Sequence, residues 1–77
     1  MHAEPLKILY GADEKRRVVI RQRSDGNFGW AEEYWFEKSY EGELIAKGWA
    51  HRPTENSVFE TLAIAEREAR ARFPWLR

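Results

Sequence analysis

The chain has 77 residues, its 13 basic and 13 acidic side chains cancel, and it contains no cysteine. A neutral balance gives no general attraction to polyanions, and without cysteine neither disulfides nor thiolate metal sites can stabilise a small core. Since no run approaches the roughly 18 apolar residues of a membrane span, and the N-terminus lacks a secretory signal pattern, we expect one small, soluble, cytoplasmic domain over residues 1–77.

The first predicted element is a short strand near the N-terminus. The segment Leu6–Tyr10 is mostly apolar, and Gly11–Lys15 follows it with turn-forming residues. This pattern favours an edge strand that a five-residue loop joins to the next strand. Residues 1–15 are expected to form either this strand or a flexible segment.

A first hairpin is predicted around the turn Ser24–Gly26. These residues match a three-residue loop closed by glycine in the left-handed conformation, which places Ile20 opposite Trp30. A two-residue Asp25–Gly26 loop would instead bring the arginines beside the aromatic residues. We favour the longer loop because it separates apolar from charged side chains better. One face then carries Val18, Ile20, Phe28, Trp30, Tyr34 and Phe36.

A second hairpin is predicted around Tyr40–Gly42, which has the same build as the first turn. The same loop type places Trp35 opposite Lys47 and completes a meander over residues 16–51. Small residues then recur on the inner face of the third strand, where they would let a helix approach closely. These inner-face residues are Leu44, Ala46, Gly48 and Ala50.

The C-terminal part predicts a helix over residues 57–73. Ser57 and Glu60 have the spacing of a capping box, and Pro74 ends the helix. Apolar residues recur at helical spacing at Val58, Leu62, Ala65, Ala69 and Phe73. Trp75 and Leu76 are expected to fold back as an apolar anchor. The fold class is therefore α+β, with a three- to four-stranded antiparallel meander and the helix packed on one face.

The chemistry-bearing residues do not predict an enzyme. The chain has only two histidines: His2 lies in a terminus that is expected to be mobile, and His51 has no acidic or serine partner fixed by spacing. No spacing of histidine or carboxylate residues resembles a metal-ligand set, and no glycine cluster resembles a phosphate cradle. We therefore expect no catalytic residues, no metal and no cofactor.

The outer face of the sheet, opposite the helix, is the predicted interaction surface. Its residues combine exposed apolar and basic side chains, and they are Val19, Arg21, Arg23, Trp35, Ile45, Lys47 and Trp49. Large apolar patches with charged rims are typical of protein contacts. The function predicted is therefore a protein–protein interaction module, most simply a homodimer. As an alternative reading, the N-terminal segment or Trp75–Leu76 covers this face.

A second function class is binding of single-stranded nucleic acid. Bases would stack on Trp35 and Trp49 while Arg21, Arg23 and Lys47 contact phosphates. The zero net charge of the chain counts against this function, as do carboxylates on the same face.

The overall outline is also similar to a known family. Two turns between three strands, followed by Phe59, Thr61, Ala65 and Ala69, resemble the plant AP2-type DNA-binding domains over roughly residues 17–73, and several small bacterial domains of unknown function. The sheet here is less basic and the connector before the helix is longer than in the AP2 pattern. No functional residue is carried over, because a shared outline does not imply a shared function.

Overall fold

The computed structural model describes residues 5–52 and 57–77, so residues 1–4 of the predicted N-terminal segment lie outside the described residues. Four strands, β1 (Lys7–Tyr10), β2 (Arg16–Gln22), β3 (Phe28–Tyr40) and β4 (Glu43–His51), form one antiparallel sheet in the order β1-β2-β3-β4. Helix α1 (Leu62–Arg72) packs against one face. This confirms the predicted α+β fold. Within the two described ranges, no helix has both the length and the apolar character needed to cross a membrane.

Strand β1 is the predicted edge strand, with Leu9 opposite Val18. The five-residue loop after it is closed by a hydrogen bond of 2.7 Å from the Gly11 N–H to the Arg16 carbonyl oxygen. The C-terminal segment runs beside this strand, because Leu76 forms a β-bridge with Gly11. Trp75 and Leu76 also pack against the core, which confirms the predicted apolar anchor.

The first hairpin closes as predicted. The Arg23 N–H donates to the Asn27 carbonyl oxygen at 2.6 Å, and Gly26 has a φ of 87°, in the left-handed region. Ile20 consequently lies opposite Trp30. Because side chains alternate along a strand, this register directs Val18 and Ile20 to the helix.

The predicted three-residue length of the second hairpin loop was wrong. Tyr40 pairs with Glu43, so the turn has only two residues, Glu41 and Gly42, with φ values of 50° and 83°. Positive φ at both central residues is the geometry of a type I′ turn. A bulge beside Lys38 and Ser39 then shifts the register further, and Trp35 lies opposite Trp49 rather than Lys47. The total shift is two residues, which leaves both tryptophans on the predicted face.

The predicted start of the helix was also wrong. Thr61 is the N-cap, and its hydroxyl oxygen accepts a hydrogen bond of 3.1 Å from the Ile64 N–H. The Ser57 hydroxyl instead accepts the Trp30 N–H at 2.9 Å, and Phe59 exchanges backbone hydrogen bonds with Phe28. Residues 57–59 therefore extend the sheet beside the start of β3, where backbone pairing replaces the helical turn that the capping pattern predicted.

The core lies between α1 and the β1–β2–β3 part of the sheet. Its buried members are Leu9, Val18, Ile20, Ala65, Ala69 and Phe73. Among the described residues, α1 packs against β2 and β3 and not against β4. The predicted contact between the helix and the small residues of β4 is therefore wrong.

Beyond Arg16, the first residue of β2, the sheet narrows to a two-stranded ribbon. The pairing of β2 with β3 ends at Tyr34, while β3 and β4 continue to the turn at Glu41–Gly42. We call residues 36–48 of this ribbon the hairpin arm. Every residue from Glu37 to Lys47 is exposed, and the molecule extends over 48 × 30 × 18 Å. Because these residues are all exposed, both faces of the ribbon are open to solvent.

Candidate functional site

The outer face contains a buried carboxylate. Glu33 is only 4% exposed, and its Oε1 atom accepts a hydrogen bond of 2.6 Å from Arg17 Nε. Its Oε2 atom lies 3.3 Å from Nδ1 of His51, which stands directly opposite on β4. The expectation that His51 has no acidic partner was therefore wrong. The predicted register had placed Trp49 opposite Glu33, and the two-residue shift brings His51 there instead.

The two tryptophans of the predicted surface lie against this ion pair. The rings of Trp35 and Trp49 meet edge to face with centroids 5.4 Å apart. The Arg17 guanidinium lies 4.2 Å from the centroid of Trp49, and the ring of Tyr10 lies 6.2 Å from it. Both indoles are consequently half-buried. Neighbouring side chains of β1, β2 and β3 provide this cover, and Trp75 packs on the other face.

Three other residues of the predicted surface do not form one exposed contact area with the tryptophans. Val19 is completely buried, so its assignment to an exposed surface was wrong. Arg21 is half-buried opposite Gly29. Arg23 lies at the first turn, where it contacts the Asp25 carboxylate at 3.3 Å and donates to the Ser57 carbonyl oxygen at 3.3 Å. The structure does not bring Arg23 near Ile45, because Arg23 lies at the turn before β3 and Ile45 lies near the turn after it.

Three of the six exposed large hydrophobic side chains among the described residues lie on the hairpin arm. Tyr40 is 68% exposed, Leu44 is 50% exposed and Ile45 is 57% exposed. All three lie within a few residues of the turn, and Tyr40 is one residue from it. Of these three residues, only Ile45 belongs to the predicted interaction surface. The signal that could have found the others is the short Glu41–Gly42 turn, because positive φ is readily adopted at glycine and a two-residue loop moves Tyr40 into the strand pair.

Lys47 lies at the base of the hairpin arm and has no ion-pair partner among the described residues. It stands directly opposite Glu37 on β3, where opposite charges would ordinarily pair. The Glu37 carboxylate instead accepts a hydrogen bond of 3.2 Å from Nε1 of Trp35. Lys47 itself is exposed, two residues before Trp49 on the same strand.

A shallow cavity of about 410 Å³ adjoins this end of the sheet. It is lined by Asp13, Glu14, Lys15, Trp35 and Glu37. Its carboxylates already have partners, since Asp13 accepts the Lys15 N–H at 2.9 Å and Glu14 lies 3.6 Å from Arg77. The hydrogen bond from the Lys15 backbone lowers the pKa of Asp13, and nearby Arg16 lowers it further. These contacts give Asp13 the role of a turn-stabilising carboxylate.

No protein-family model, no curated protein and no solved structure matched the chain. The resemblance to AP2-type domains therefore receives no support beyond the outline of strands and helix.

Proposed function

We propose that this protein is a non-enzymatic protein-interaction module that binds its partner through the hairpin arm and the adjoining outer face. The observation that carries the proposal is the exposure of Tyr40, Leu44 and Ile45 on a projecting ribbon. Exposed large apolar side chains that are clustered are typical of contact surfaces. Tyrosine is also among the residues enriched at the centres of protein interfaces.

The position of the cluster supports the same function. The helix contacts β2 and β3, so the arm is held out from the core while its base is fixed in the four-stranded sheet. The ion pair of Glu33 with Arg17 and the packing of Trp35 against Trp49 stabilise that base. A fixed base holds the exposed apolar residues of the tip away from the core, where another surface can reach them.

The partner is either a second copy of the chain or a different protein, and site-specific cross-linking can distinguish the two. A photoreactive phenylalanine analogue replaces Ile45 in one variant and Arg67, an exposed helix residue, in the control. We expect adducts from position 45 only, at twice the chain mass for a homodimer and at another mass for a different protein. Equal adducts from both positions, or none from position 45, would contradict the proposal.

Single-stranded nucleic acid is the second candidate, motivated by the tryptophans beside basic residues. The hairpin arm carries three glutamates and two lysines, which does not favour contact with phosphates. Titration with mixed oligonucleotides at low salt separates the two functions. We expect no binding, and steeply salt-dependent binding that is lost in Trp35→Ala would favour the second candidate instead.

A further inference from the structure

We propose that the outer edge of β4, between Ala46 and His51, binds an extended acidic segment of a different protein as an additional antiparallel strand. This inference rests on the proposed function and names the partner's chemistry. The bound segment places a carboxylate opposite Lys47 and an apolar residue opposite Trp49. Main-chain hydrogen bonds to a sheet edge supply the affinity in such complexes, and alternate side chains supply the specificity.

The backbone of β4 has groups that such a strand would satisfy. The Arg52 N–H donates to the Glu32 carbonyl oxygen at 2.9 Å, so Arg52 directs its backbone groups toward β3. Because these directions alternate along an antiparallel strand, Lys47, Trp49 and His51 direct their N–H and C=O groups away from β3. Among the described residues, no other strand pairs with this edge.

The opposite edge of the sheet is less suited to strand addition. Strand β1 has only four residues, and the C-terminal segment covers part of its edge. The Ala12 N–H donates to the Trp75 carbonyl oxygen at 3.2 Å, and the Arg77 N–H donates to the Tyr10 carbonyl oxygen at 3.3 Å. Strand β4 is therefore the available edge.

Lys47 determines which partner this edge favours. Its ammonium group is exposed and has no ion-pair partner among the described residues, since Trp35 engages the Glu37 carboxylate. A second copy pairing antiparallel and centred on this residue would place two lysines opposite each other, which is unfavourable. Charged edge residues, lysine in particular, and bulges are common protections of edge strands against self-pairing. An acidic residue in a different protein converts the same lysine into an attractive contact.

The side chains of β4 leave room for such a strand. Ala46, Gly48 and Ala50 alternate on the inner face, and the helix does not pack against them. Large side chains of the bound strand can therefore lie beside them. On the outer face, Trp49 offers an apolar ring next to Lys47.

The test uses the full chain and the capped peptide Ser-Val-Val-Thr-Glu-Val, which places glutamate opposite Lys47 and valine opposite Trp49 when it pairs antiparallel. Binding is followed through the backbone amide signals of residues 47, 49 and 51 by NMR. Replacing the peptide's glutamate by lysine should weaken binding by about threefold to tenfold. The variant Lys47→Glu should reverse this preference between the two peptides.

N-methylated peptides separate strand pairing from side-chain docking. N-methylation of the glutamate and the third-position valine blocks the N–H groups that face β4, and should abolish binding. N-methylation of the second-position valine and the threonine blocks N–H groups that face away, and should preserve it. Absence of shifts at residues 47, 49 and 51 up to millimolar peptide, or equal loss with both methylation patterns, would overturn the inference. Adducts at position 45 would then still support the proposed function, so the two failures are distinguishable.

Discussion

Arg17 and Glu33 form an ion pair across β2 and β3, with Nε and Oε1 2.6 Å apart, on the sheet face that the helix does not cover. The Glu33 carboxylate is nevertheless buried, and His51 lies against its other oxygen. Each oxygen of this carboxylate therefore has a basic side chain within 3.3 Å. Through Glu33, Arg17 links β2 to β3 and His51 links β4 to β3 at the base of the hairpin arm.

Replacing Glu33 by glutamine should destabilise the protein. The neutral amide leaves the partly buried Arg17 guanidinium without its counter-charge, so we expect a loss of about 1–3 kcal/mol in the free energy of unfolding. Urea denaturation measures the loss. The matched control is Glu37→Gln, which alters an exposed carboxylate on the same strand and should cost below about 0.5 kcal/mol. Equal costs for the two variants would argue against a stabilising role of the ion pair.

Two glycines of the sheet should respond in opposite ways to alanine. A Cβ atom at Gly48 would lie 3.6 Å from the Phe36 ring, an ordinary contact, whereas one at Gly29 would lie 2.8 Å from the Ser57 carbonyl oxygen. Gly48→Ala should therefore be neutral or stabilising by up to about 1 kcal/mol, since the unfolded chain loses entropy. Gly29→Ala should destabilise by about 1–3 kcal/mol through overpacking against backbone. Thermal unfolding of both variants measures these changes in stability. A larger loss of stability in Gly48→Ala than in Gly29→Ala would contradict this packing.

The start of α1 can be tested with two hydroxyl substitutions. Thr61→Ala removes the N-cap acceptor and should cost about 1 kcal/mol, with faster amide exchange at Ile64 in particular. Ser57→Ala removes the acceptor for the Trp30 N–H and should accelerate exchange at Trp30 instead. Amide hydrogen exchange by NMR separates these effects. Faster amide exchange at the start of the helix in Ser57→Ala would indicate that Ser57, not Thr61, is the N-cap.

The pH dependence of stability should report the pairing of Glu66. A hydrogen bond of 2.7 Å from Lys7 lowers the pKa of Glu66 below its usual 4.5, and Arg70 lowers it further. A lowered pKa in the folded state adds stability above the unfolded pKa, and this stability is lost as pH falls through the folded value. The free energy of unfolding should therefore decline in acid below about pH 4.5.

Glu66→Gln should flatten that decline, as measured by urea denaturation at a series of acidic pH values. Glu68→Gln, which removes an exposed carboxylate from the same helix, is the control and should retain the wild-type slope. Superimposable profiles for Glu66→Gln and the wild type would show that Lys7 and Glu66 contribute no linkage.

Much of the fold could be predicted from local signals in the sequence. The Ser24–Gly26 loop fixed the β2–β3 register, and the spacing of Ala65, Ala69 and Phe73 identified the buried side of the helix. Both signals are local, and the observed strand pairing and helix packing agree with them. The single domain over residues 1–77 and the absence of catalytic residues stay predictions.

The errors arose where tertiary contacts compete with local patterns. Ser57 and Glu60 have the spacing of a helix cap, but Phe28 at the start of β3 pairs with Phe59. The helix therefore begins later, after Thr61. The bulge beside Lys38 and Ser39 leaves no clear pattern in the sequence, and it determines that His51 reaches Glu33. The candidate site changed accordingly, from an open tryptophan face to the arm.

The central claim is that the apolar side chains of the hairpin arm serve contact with a partner and contribute little to folding. The most direct measurement is urea denaturation of the triple variant Tyr40→Thr, Leu44→Thr, Ile45→Thr at low micromolar concentration, where threonine preserves strand propensity. We expect a loss below about 1.5 kcal/mol in total, because exposed positions contribute little. The core control Ile20→Ala should lose about 2–5 kcal/mol. A triple variant as unstable as Ile20→Ala would contradict the claim, since the arm would then belong to the core.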